Sequence, residues 1–332
     1  MRRRGSRVRV RGAAATVAAV ALLLVAGCGT ATLPDAGNPP GPPRPVGVQD
    51  PARIPDAGEQ DTSCGDPRKS YRPDGALPAP GHMPGNTTMS KIARRGRLVV
   101  GVDQNTYLFG FRDPATNRIQ GFDVDILREV ARAIFGDPDR IQYTTITSAQ
   151  RIPVLRSHQV DLVADVMTIN CERWRQVAFS TDYFDAGQRV LVPADSTATT
   201  LADLGGKKVC AVKGSTSIRA IAAERAKPVP VAVDDWTDCL VLLQQRQVAA
   251  ISTDNAILAG LAKQDPNTKV VGPRFTDEPY GIAANSADVD LVRFVNGVLA
   301  RIRANGTWTK IYDRWLTVLG AAPSPPAAAY RD

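Results

Sequence analysis

Short apolar runs rich in β-branched residues alternate with segments of helical periodicity from residue 97 to residue 316. Arg97–Val102 is the first such run. Residues 126–134 form one apolar helical face that closes at Gly136, and Thr147 and Gln150 have the spacing of a helix capping box. Further strands are predicted over Ile141–Ile146, Val160–Val166, Gln188–Val192, Lys208–Val212, Val229–Val233, Val248–Ser252, Lys269–Val271 and Tyr280–Ala284, and further helices over Cys171–Val177, Ser217–Ala226, Trp236–Gln245, Asn255–Lys263, Asp288–Arg303 and Thr307–Leu316.

This alternation is typical of α/β architecture, in which mostly parallel sheets are covered by helices on both faces. The alternating region spans roughly 235 residues, which suits two lobes better than a single hydrophobic core.

The first 27 residues have the organisation of an export signal. Met1–Arg11 is basic and Ala13–Ala26 is apolar. The ending Leu24–Cys28 resembles the lipobox of bacterial lipoproteins, in which the cysteine is acylated and becomes the new N-terminus. We therefore predict that residues 1–27 are a lipoprotein signal peptide and that Cys28 anchors the protein to the extracellular face of the cell membrane. The alternative is an ordinary signal peptide, or a short membrane anchor with an unmodified cysteine.

Residues 28–90 are predicted to be a tether behind the lipidated cysteine. Between Thr30 and Gly85 lie 13 of the 25 prolines, with little apolar periodicity. Such a segment cannot bury enough apolar surface to offset its ordering entropy, so we expect it to be extended and mobile. The proline-rich residues 321–332 are predicted to be a disordered tail for the same reason.

Charge and motif content exclude several classes of protein. The formal charge is +8, but six arginines lie in residues 1–27, outside which 35 basic residues face 33 acidic ones. A nucleic-acid partner is therefore not expected. With two histidines and no G-x-S-x-G, H-E-x-x-H, Walker A or G-x-G-x-x-G sequence, neither an enzyme, a metal site nor a cofactor is predicted.

Four cysteines follow Cys28, and an even number in an exported chain suggests two disulfides with three possible pairings. Cys210 and Cys239 lie in the same later region and are the favoured pair, which leaves Cys64 with Cys171. Buried free thiols are the alternative.

The folded region resembles the polar-amino-acid branch of the bacterial extracellular solute-binding proteins (family 3). Within that family it is most similar to glutamate/glutamine-binding lipoproteins of high-GC Gram-positive bacteria. The resemblance covers about residues 91–320. It rests on Gly121-Phe122-Asp123-Val124-Asp125-Ile126, Thr168-Ile169-Asn170-Cys171-Glu172-Arg173, Phe179-Ser180, Asp203-Leu204-Gly205-Gly206-Lys207-Lys208-Val209, Gly214-Ser215-Thr216-Ser217, Asn305-Gly306-Thr307-Trp308 and Ile311-Tyr312-Asp313-Arg314-Trp315.

The resemblance implies a two-lobed periplasmic-binding-protein-like (type II) fold that closes over ligand by hinge motion. Lobe 1 would comprise residues 91–187 and 283–320, and lobe 2 residues 193–278. The hinge strands would be residues 188–192 and 279–282.

An α-amino acid presents a carboxylate and an ammonium, and a desolvated cleft must satisfy both. The resemblance implies that Arg173 holds the α-carboxylate with its planar fork, aided by Thr168. Asp254, at a strand-to-helix junction, is expected to hold the ammonium, with a simple helix N-cap as the alternative. Ser215, Thr216 and Ser217 precede a helix, and their N–H groups would form an anion site on the opposite lobe.

The side-chain pocket gives conflicting indications. Ser148 and Arg151 resemble the residues that meet a distal carboxylate in binders of acidic amino acids. Asp103 matches a position that accepts an amide N–H₂ in glutamine binders, and Tyr107 is expected to form an apolar wall. Glutamate or aspartate is therefore the expected ligand, with glutamine and asparagine as alternatives.

The expected activity is delivery of a polar amino acid, by a monomer, to an ABC-type permease. Two alternatives stay open from the sequence. One is a sensor lipoprotein that reports amino-acid levels to a membrane signalling partner. The other, more remote, is an extracellular dehydratase on the same fold that uses Asp103 or Asp165 as an acid.

Overall fold

The computed structural model describes residues 41–54 and 61–332. The chain divides into two units, Met1–Pro43 and Arg44–Asp332. Of the first unit only residues 41–43 are described, so the predicted signal peptide and Cys28 lie outside the described residues. No helix within the described ranges combines the length and the apolar character needed to cross a bilayer.

The helices and strands of the described residues lie in the second unit. The helices are α1 (Thr88–Arg95), α2 (Phe122–Phe135), α3 (Arg151–Arg156), α4 (Cys171–Trp174), α5 (Thr216–Ala223), α6 (Trp236–Gln244), α7 (Asn255–Gln264), α8 (Val289–Ala304) and α9 (Thr307–Trp315). The strands are β1 (Leu98–Val102), β2 (Asn105–Thr106), β3 (Gly110–Arg112), β4 (Ile119–Gln120), β5 (Ile141–Thr145), β6 (Leu162–Val163), β7 (Val177–Phe179), β8 (Phe184–Ala186), β9 (Gln188–Pro193), β10 (Lys208–Val212), β11 (Val229–Val233), β12 (Ala250–Asp254), β13 (Thr268–Val271), β14 (Glu278–Tyr280) and β15 (Ala283–Asn285).

Two five-stranded sheets form the centres of two lobes. In lobe 1 the strand order is β5-β1-β6-β15-β7, with β1 parallel to both neighbours and β15 antiparallel to both of its own. In lobe 2 the order is β11-β10-β12-β9-β13, with β10 parallel to its neighbours and β9 antiparallel to β12 and β13. The two-lobed α/β prediction is confirmed, although each sheet is mixed rather than mostly parallel.

The lobes are joined by two short crossing strands. β8 pairs antiparallel with β14, so that Phe184 faces Tyr280 and Ala186 faces Glu278. The predicted hinge strand at residues 188–192 needs correction, because those residues belong to β9 inside the lobe 2 sheet. The buried apolar run of β9 dominates the local pattern, whereas three-residue crossing strands are too short to show a period.

The motif that begins α2 also positions one edge of the cleft between the lobes. Gly121 has a φ of 138°, and a Cβ there would lie 2.2 Å from the Phe109 carbonyl oxygen, so the close approach requires glycine. The buried Asp123 carboxylate accepts hydrogen bonds from the Val166 N–H (2.8 Å) and the Tyr183 hydroxyl (2.7 Å). Desolvation raises the pKa of Asp123 to about 6 against the effect of those bonds. Asp123 therefore fixes the loop that follows β6.

Residues 44–54 and 61–72, which we call the strap, lie on both lobes instead of forming a mobile tether. Gln49 exchanges two backbone hydrogen bonds with Ala232 of β11, at the edge of the lobe 2 sheet (2.8 and 3.0 Å). In lobe 1 the buried Ser70 hydroxyl donates to the Phe179 carbonyl (2.6 Å). The prediction of a mobile segment is therefore wrong for the strap.

The predicted disordered tail also needs correction. Tyr330 forms a parallel bridge with Ser70, and the Arg331 guanidinium lies 3.9 Å from the centre of the Trp174 ring. Amino-acid composition indicates only how much apolar surface a segment can bury. Strap and tail are held instead by backbone pairing, a disulfide and ion pairs, none of which requires apolar periodicity.

Both predicted disulfides are confirmed. Cys210 in β10 is bonded to Cys239 in α6, within lobe 2. Cys64 in the strap is bonded to Cys171, the first residue of α4 in lobe 1. The second bond therefore attaches the strap to the short helix that carries Arg173.

Candidate functional site

A narrow cavity of about 10 Å³ lies between the two lobes. Its walls come from the loops at the strand ends of both sheets, where the ligands of open α/β sheets bind. The lining residues are Ser148, Arg151, Val166, Thr168, Arg173, Ser215, Thr216, Ser217, Trp236, Thr253, Asp254 and Ile257. Eight of the ten residues predicted to bind ligand are among them.

Arg173 is held in lobe 1 by the short helix α4. The Asn170 side chain caps this helix by accepting the Arg173 N–H (2.9 Å). The guanidinium donates to two carbonyl oxygens, of Thr168 (2.6 Å) and of Gly214 (3.2 Å). Within the described part of the chain, no carboxylate oxygen lies within 4.0 Å of it. Desolvation, together with the neighbouring Arg151, lowers the pKa of Arg173 to about 9.

Arg151 supplies a second buried guanidinium. The predicted capping box, in which the Gln150 side chain accepts the Thr147 N–H (2.9 Å), starts the 3₁₀ turn Ser148–Gln150 that leads into its helix α3. Arg151 donates to the carbonyls of Ser148 (2.9 Å), Asp165 (2.9 Å) and Gly214 (3.3 Å). Since Gly214 belongs to lobe 2, its single carbonyl oxygen accepts from both lobe 1 arginines across the cleft.

The carboxylate next to Arg151 is buried and poorly satisfied. Asp165 Oδ2 lies 3.9 Å from Arg151 Nε and accepts no hydrogen bond. Desolvation raises the pKa of Asp165 well above its usual range, even though Arg151 opposes the shift.

On the lobe 2 wall, the protein itself largely satisfies the hydroxyls of the three residues whose N–H groups are predicted to form an anion site. Ser215 caps α5, accepting the Ile218 N–H (3.1 Å) and donating to the Val212 carbonyl (2.8 Å). The Ser217 and Thr253 hydroxyls are 3.1 Å apart. The side chains of Ser215 and Ser217 therefore shape the wall.

Glu278 is a residue beside the cavity that the sequence pattern does not predict. Its Oε2 accepts from the hydroxyl of Thr168 in lobe 1 (2.6 Å) and from that of Thr216 in lobe 2 (2.8 Å). It is buried, and it begins β14 immediately before the predicted hinge segment. An acidic residue next to a predicted hinge segment is the sequence feature that could have indicated Glu278.

Asp254 points into the cavity, and its side chain does not cap α7. The Tyr280 hydroxyl donates to Asp254 Oδ2 (2.7 Å), whereas the buried Oδ1 has no hydrogen-bond partner. Desolvation, and then the Glu278 carboxylate, raise the pKa of Asp254 well above its usual range. The N-cap alternative for this side chain is therefore wrong.

Asp103 and Tyr107 are not among the residues that line the cavity. The Asp103 carboxylate accepts from the N–H groups of Gln104 (2.6 Å) and Asn105 (2.9 Å) and from the Thr106 hydroxyl, so its oxygens are occupied by its own loop. The Tyr107 ring packs edge-on against Phe111, 4.8 Å between centres. Both residues lie in the segment that follows β1. Contacts with neighbouring residues of the chain occupy their side chains, which therefore have structural roles.

The cavity thus holds two guanidinium groups on one wall and a carboxylate with an unpartnered oxygen on the other. Buried charges need opposite charges, so this arrangement suits a small solute that carries both signs. No cluster of three or more His, Cys, Asp or Glu side chains is placed to hold a metal ion in residues 41–54 and 61–332. Two α/β lobes joined by crossing strands around such a cavity define a solute-binding protein of the type II periplasmic fold.

The chain matches the profile of the "Bacterial extracellular solute-binding proteins, family 3" over residues 98–318, and it belongs to that family. It is 37% identical over 230 residues to the "ABC transporter glutamine-binding protein GlnH" of Bacillus subtilis, a match that covers 69% of this chain and 84% of the relative. It is 32% identical over 252 residues to the "Glutamate-binding protein GluB" of Corynebacterium glutamicum, covering 71% and 83%.

Among solved structures, holo ArgBP from T. maritima superposes with a TM-score of 0.62 at 32% identity, covering 68% of this chain and 98% of that one. The predicted family and fold are therefore confirmed. These relatives are binding proteins, so the chain is a binding protein and not an enzyme.

Proposed function

We propose that this protein binds a polar α-amino acid at the cell surface and delivers it to an ABC-type transporter. Glutamate or aspartate is the preferred ligand, and glutamine and asparagine are further ligands. The observation that carries this proposal is the pair Arg173 and Asp254, two opposite charges on opposite walls of one cavity, each lacking a full counter-charge. The likeness to a glutamine-binding protein (GlnH) and to a glutamate-binding protein (GluB) supports it.

The zwitterionic part of the ligand would satisfy both groups. Its α-carboxylate would accept from the Arg173 guanidinium, and the backbone N–H groups of Thr168 and of the start of α5 at Thr216 would add donors. The Thr168 hydroxyl is not counted, because it already donates to Glu278. Its ammonium would donate to Asp254 Oδ1. The Gly214 carbonyl that now accepts from both arginines carries only a partial charge, so a carboxylate is a stronger partner for Arg173.

Arg151 and Ser148 would bind the distal group of the ligand, which is the carboxylate or amide at the end of its side chain. A second buried guanidinium favours a second carboxylate, which is the reason for preferring glutamate and aspartate. Asp103 has no part in this proposal, because its oxygens are occupied within its own loop.

A thermal-shift screen of the twenty amino acids tests the ligand class, because a ligand that binds the native state raises the apparent stability by mass action. We expect shifts with glutamate, aspartate, glutamine and asparagine, and their loss in Arg173→Ala. If no amino acid shifts the wild type, or if the variant responds equally, the proposed function is wrong. Loss of labelled glutamate uptake on deletion of the gene would test delivery.

We further propose that Cys28 carries lipid and that the protein acts as a monomer. The order of basic segment, apolar segment and lipobox-like ending supports the anchor. Cys28→Ala should abolish incorporation of labelled fatty acid, and unchanged labelling would refute the anchor. Light scattering of the folded region should give the monomer mass.

A further inference from the structure

One strap residue contacts both crossing strands. The Arg68 guanidinium donates to Asp182 Oδ2 (2.5 Å) just before β8, to Asp185 Oδ1 (2.6 Å) inside β8, and to Asp277 Oδ1 (2.7 Å) just before β14. Because β8 and β14 run antiparallel, Asp182 lies at the lobe 1 end of the pair and Asp277 at the lobe 2 end. One cation therefore spans the connection between the lobes.

The strap near Arg68 is firmly attached to lobe 1. Cys64 is bonded to Cys171, and the Trp174 indole N–H donates to the Pro67 carbonyl (2.8 Å). Both contacts lie on α4, the helix that carries Arg173. Arg68 therefore reaches the crossing strands from a base fixed beside the proposed ligand arginine.

The electrostatics favour a structural role for this cation. Three carboxylates would repel one another along two adjacent strands if no positive charge lay between them. Arg303 of α8 and Arg274 are further cations near this group, but they donate to the carbonyl oxygens of Asp182 (2.6 Å) and Asp185 (3.3 Å) and not to the carboxylates. The three carboxylates jointly raise the pKa of Arg68, against the opposing effect of desolvation.

An exposed ion pair contributes little by itself, but this contact is a network with one buried member. The Asp182 side chain is 3% exposed and that of Arg68 is 29% exposed, whereas that of Asp277 is 72% exposed. Loss of Arg68 would leave the buried Asp182 without its salt bridge and would leave the charges on the two crossing strands unscreened.

We propose that Arg68 is a positioning residue for closure, which holds the two crossing strands in the arrangement that brings the cavity walls together. The inference rests on the proposed function, because closure matters only if a ligand binds between the lobes. Rotation about the crossing strands changes the separation of Asp182 and Asp277, so a cation bound to both favours one rotation. A contact that favours the closed form raises the apparent affinity by raising the population competent to bind.

The test compares Arg68→Gln, Arg68→Lys and wild type by calorimetric titration with L-glutamate and L-glutamine and by small-angle X-ray scattering without ligand. We expect Arg68→Gln to weaken binding by about fivefold or more and to increase the radius of gyration of the unliganded protein. Arg68→Lys should fall between the two, since an ammonium keeps the charge but not the fork.

Arg331→Gln is the matched control. Arg331 also contacts the strap, donating to the Lys69 carbonyl, but its ring contacts are on Tyr71 and Trp174, away from the crossing strands. It should leave the affinity and the radius of gyration unchanged. Adding Asp185→Asn and Asp277→Asn to Arg68→Gln should restore much of both values, because the repulsion is then removed; a purely local packing defect would not be rescued in this way.

Wild-type affinity and an unchanged radius of gyration in a folded Arg68→Gln protein would overturn the proposal. If Arg68→Gln does not fold, Asp277→Asn, which alters an exposed partner, decides between the same two outcomes. If wild type binds neither amino acid, the proposed function fails, while the scattering comparison still decides whether Arg68 positions the lobes.

Discussion

The two walls of the cavity satisfy their polar groups in different ways. The lobe 1 wall carries Arg151 and Arg173, whose guanidinium groups donate only to carbonyl oxygens. On the lobe 2 wall the hydroxyls of Ser215 and Ser217 already have partners within their own lobe, and only Asp254 keeps an unpartnered oxygen. The positive charges on the lobe 1 wall thus lack counter-charges, whereas almost all polar groups on the lobe 2 wall have hydrogen-bond partners.

This difference indicates how closure and binding are coupled. The Gly214 carbonyl of lobe 2 accepts from both arginines, and Glu278 accepts from a threonine of each lobe. These contacts hold the walls together with dipoles and a single shared carboxylate. We therefore expect the negative charge of the ligand to contribute most of the binding free energy at the lobe 1 wall. The position of its ammonium should affect binding at Asp254.

The largest expected effect is at Arg173. Arg173→Ala should weaken amino-acid binding about thirtyfold or more, because losing one partner of a buried charge pair costs about 2–5 kcal/mol. Calorimetric titration measures the change. Arg175→Ala, two residues further along the chain, is the matched control, since Arg175 is exposed and pairs with Asp61 of the strap. Equal affinities in wild type and Arg173→Ala would contradict the inference that the ligand supplies the counter-charge missing from the lobe 1 wall.

A smaller effect on selectivity is expected at Arg151. Arg151→Met should weaken glutamate and aspartate about tenfold more than glutamine and asparagine, because a distal carboxylate would then face Asp165 without a counter-charge. Competition titrations of the four ligands at fixed salt measure the ratio, and a melting curve checks that the variant folds. A uniform loss across all four ligands would make Arg151 a scaffold residue.

The smallest effect is on the pH dependence of stability. Burial raises the pKa of Asp254 and Asp165 well above their usual range and that of Asp123 to about 6. Because the folded state then holds protons that the unfolded state releases, these groups stabilise the fold below about pH 4 and lose that contribution as the pH rises towards neutrality. Melting temperatures of the unliganded protein should therefore fall between about pH 5 and pH 7.

Asp254→Asn should flatten this decline, and saturating L-glutamate should reduce it in wild type by supplying an ammonium to Asp254. The exposed Asp313→Asn serves as the control and should keep the wild-type slope. A slope that Asp254→Asn leaves unaltered would show that Asp254 is not the carboxylate whose ionisation the cavity opposes.

Much of the fold could be predicted from the sequence, because its elements have clear periods. β10 and β11 have the predicted bounds, and the predicted bounds of α6 and α7 differ from the observed ones by a single residue each. The elements that the pattern does not predict include α1, which follows the proline-rich segment, and several strands of two or three residues, namely β2, β3, β4, β7 and the crossing strand β8. A hydrophobic period can be recognised only over several residues, so a short strand or helix becomes apparent only from the elements that it packs against.

For the site, the sequence by itself determined which residue types lie at the strand ends, and therefore eight of the twelve lining positions. The tertiary structure decided which of those side chains are already satisfied. Asp103 is turned into its own loop, Glu278 is shared between the lobes, and the strap lies across them with Arg68 at the crossing strands. A local pattern places a charged group, but its hydrogen-bond partners come from residues distant in the chain, and those partners decide whether the group remains available to a ligand.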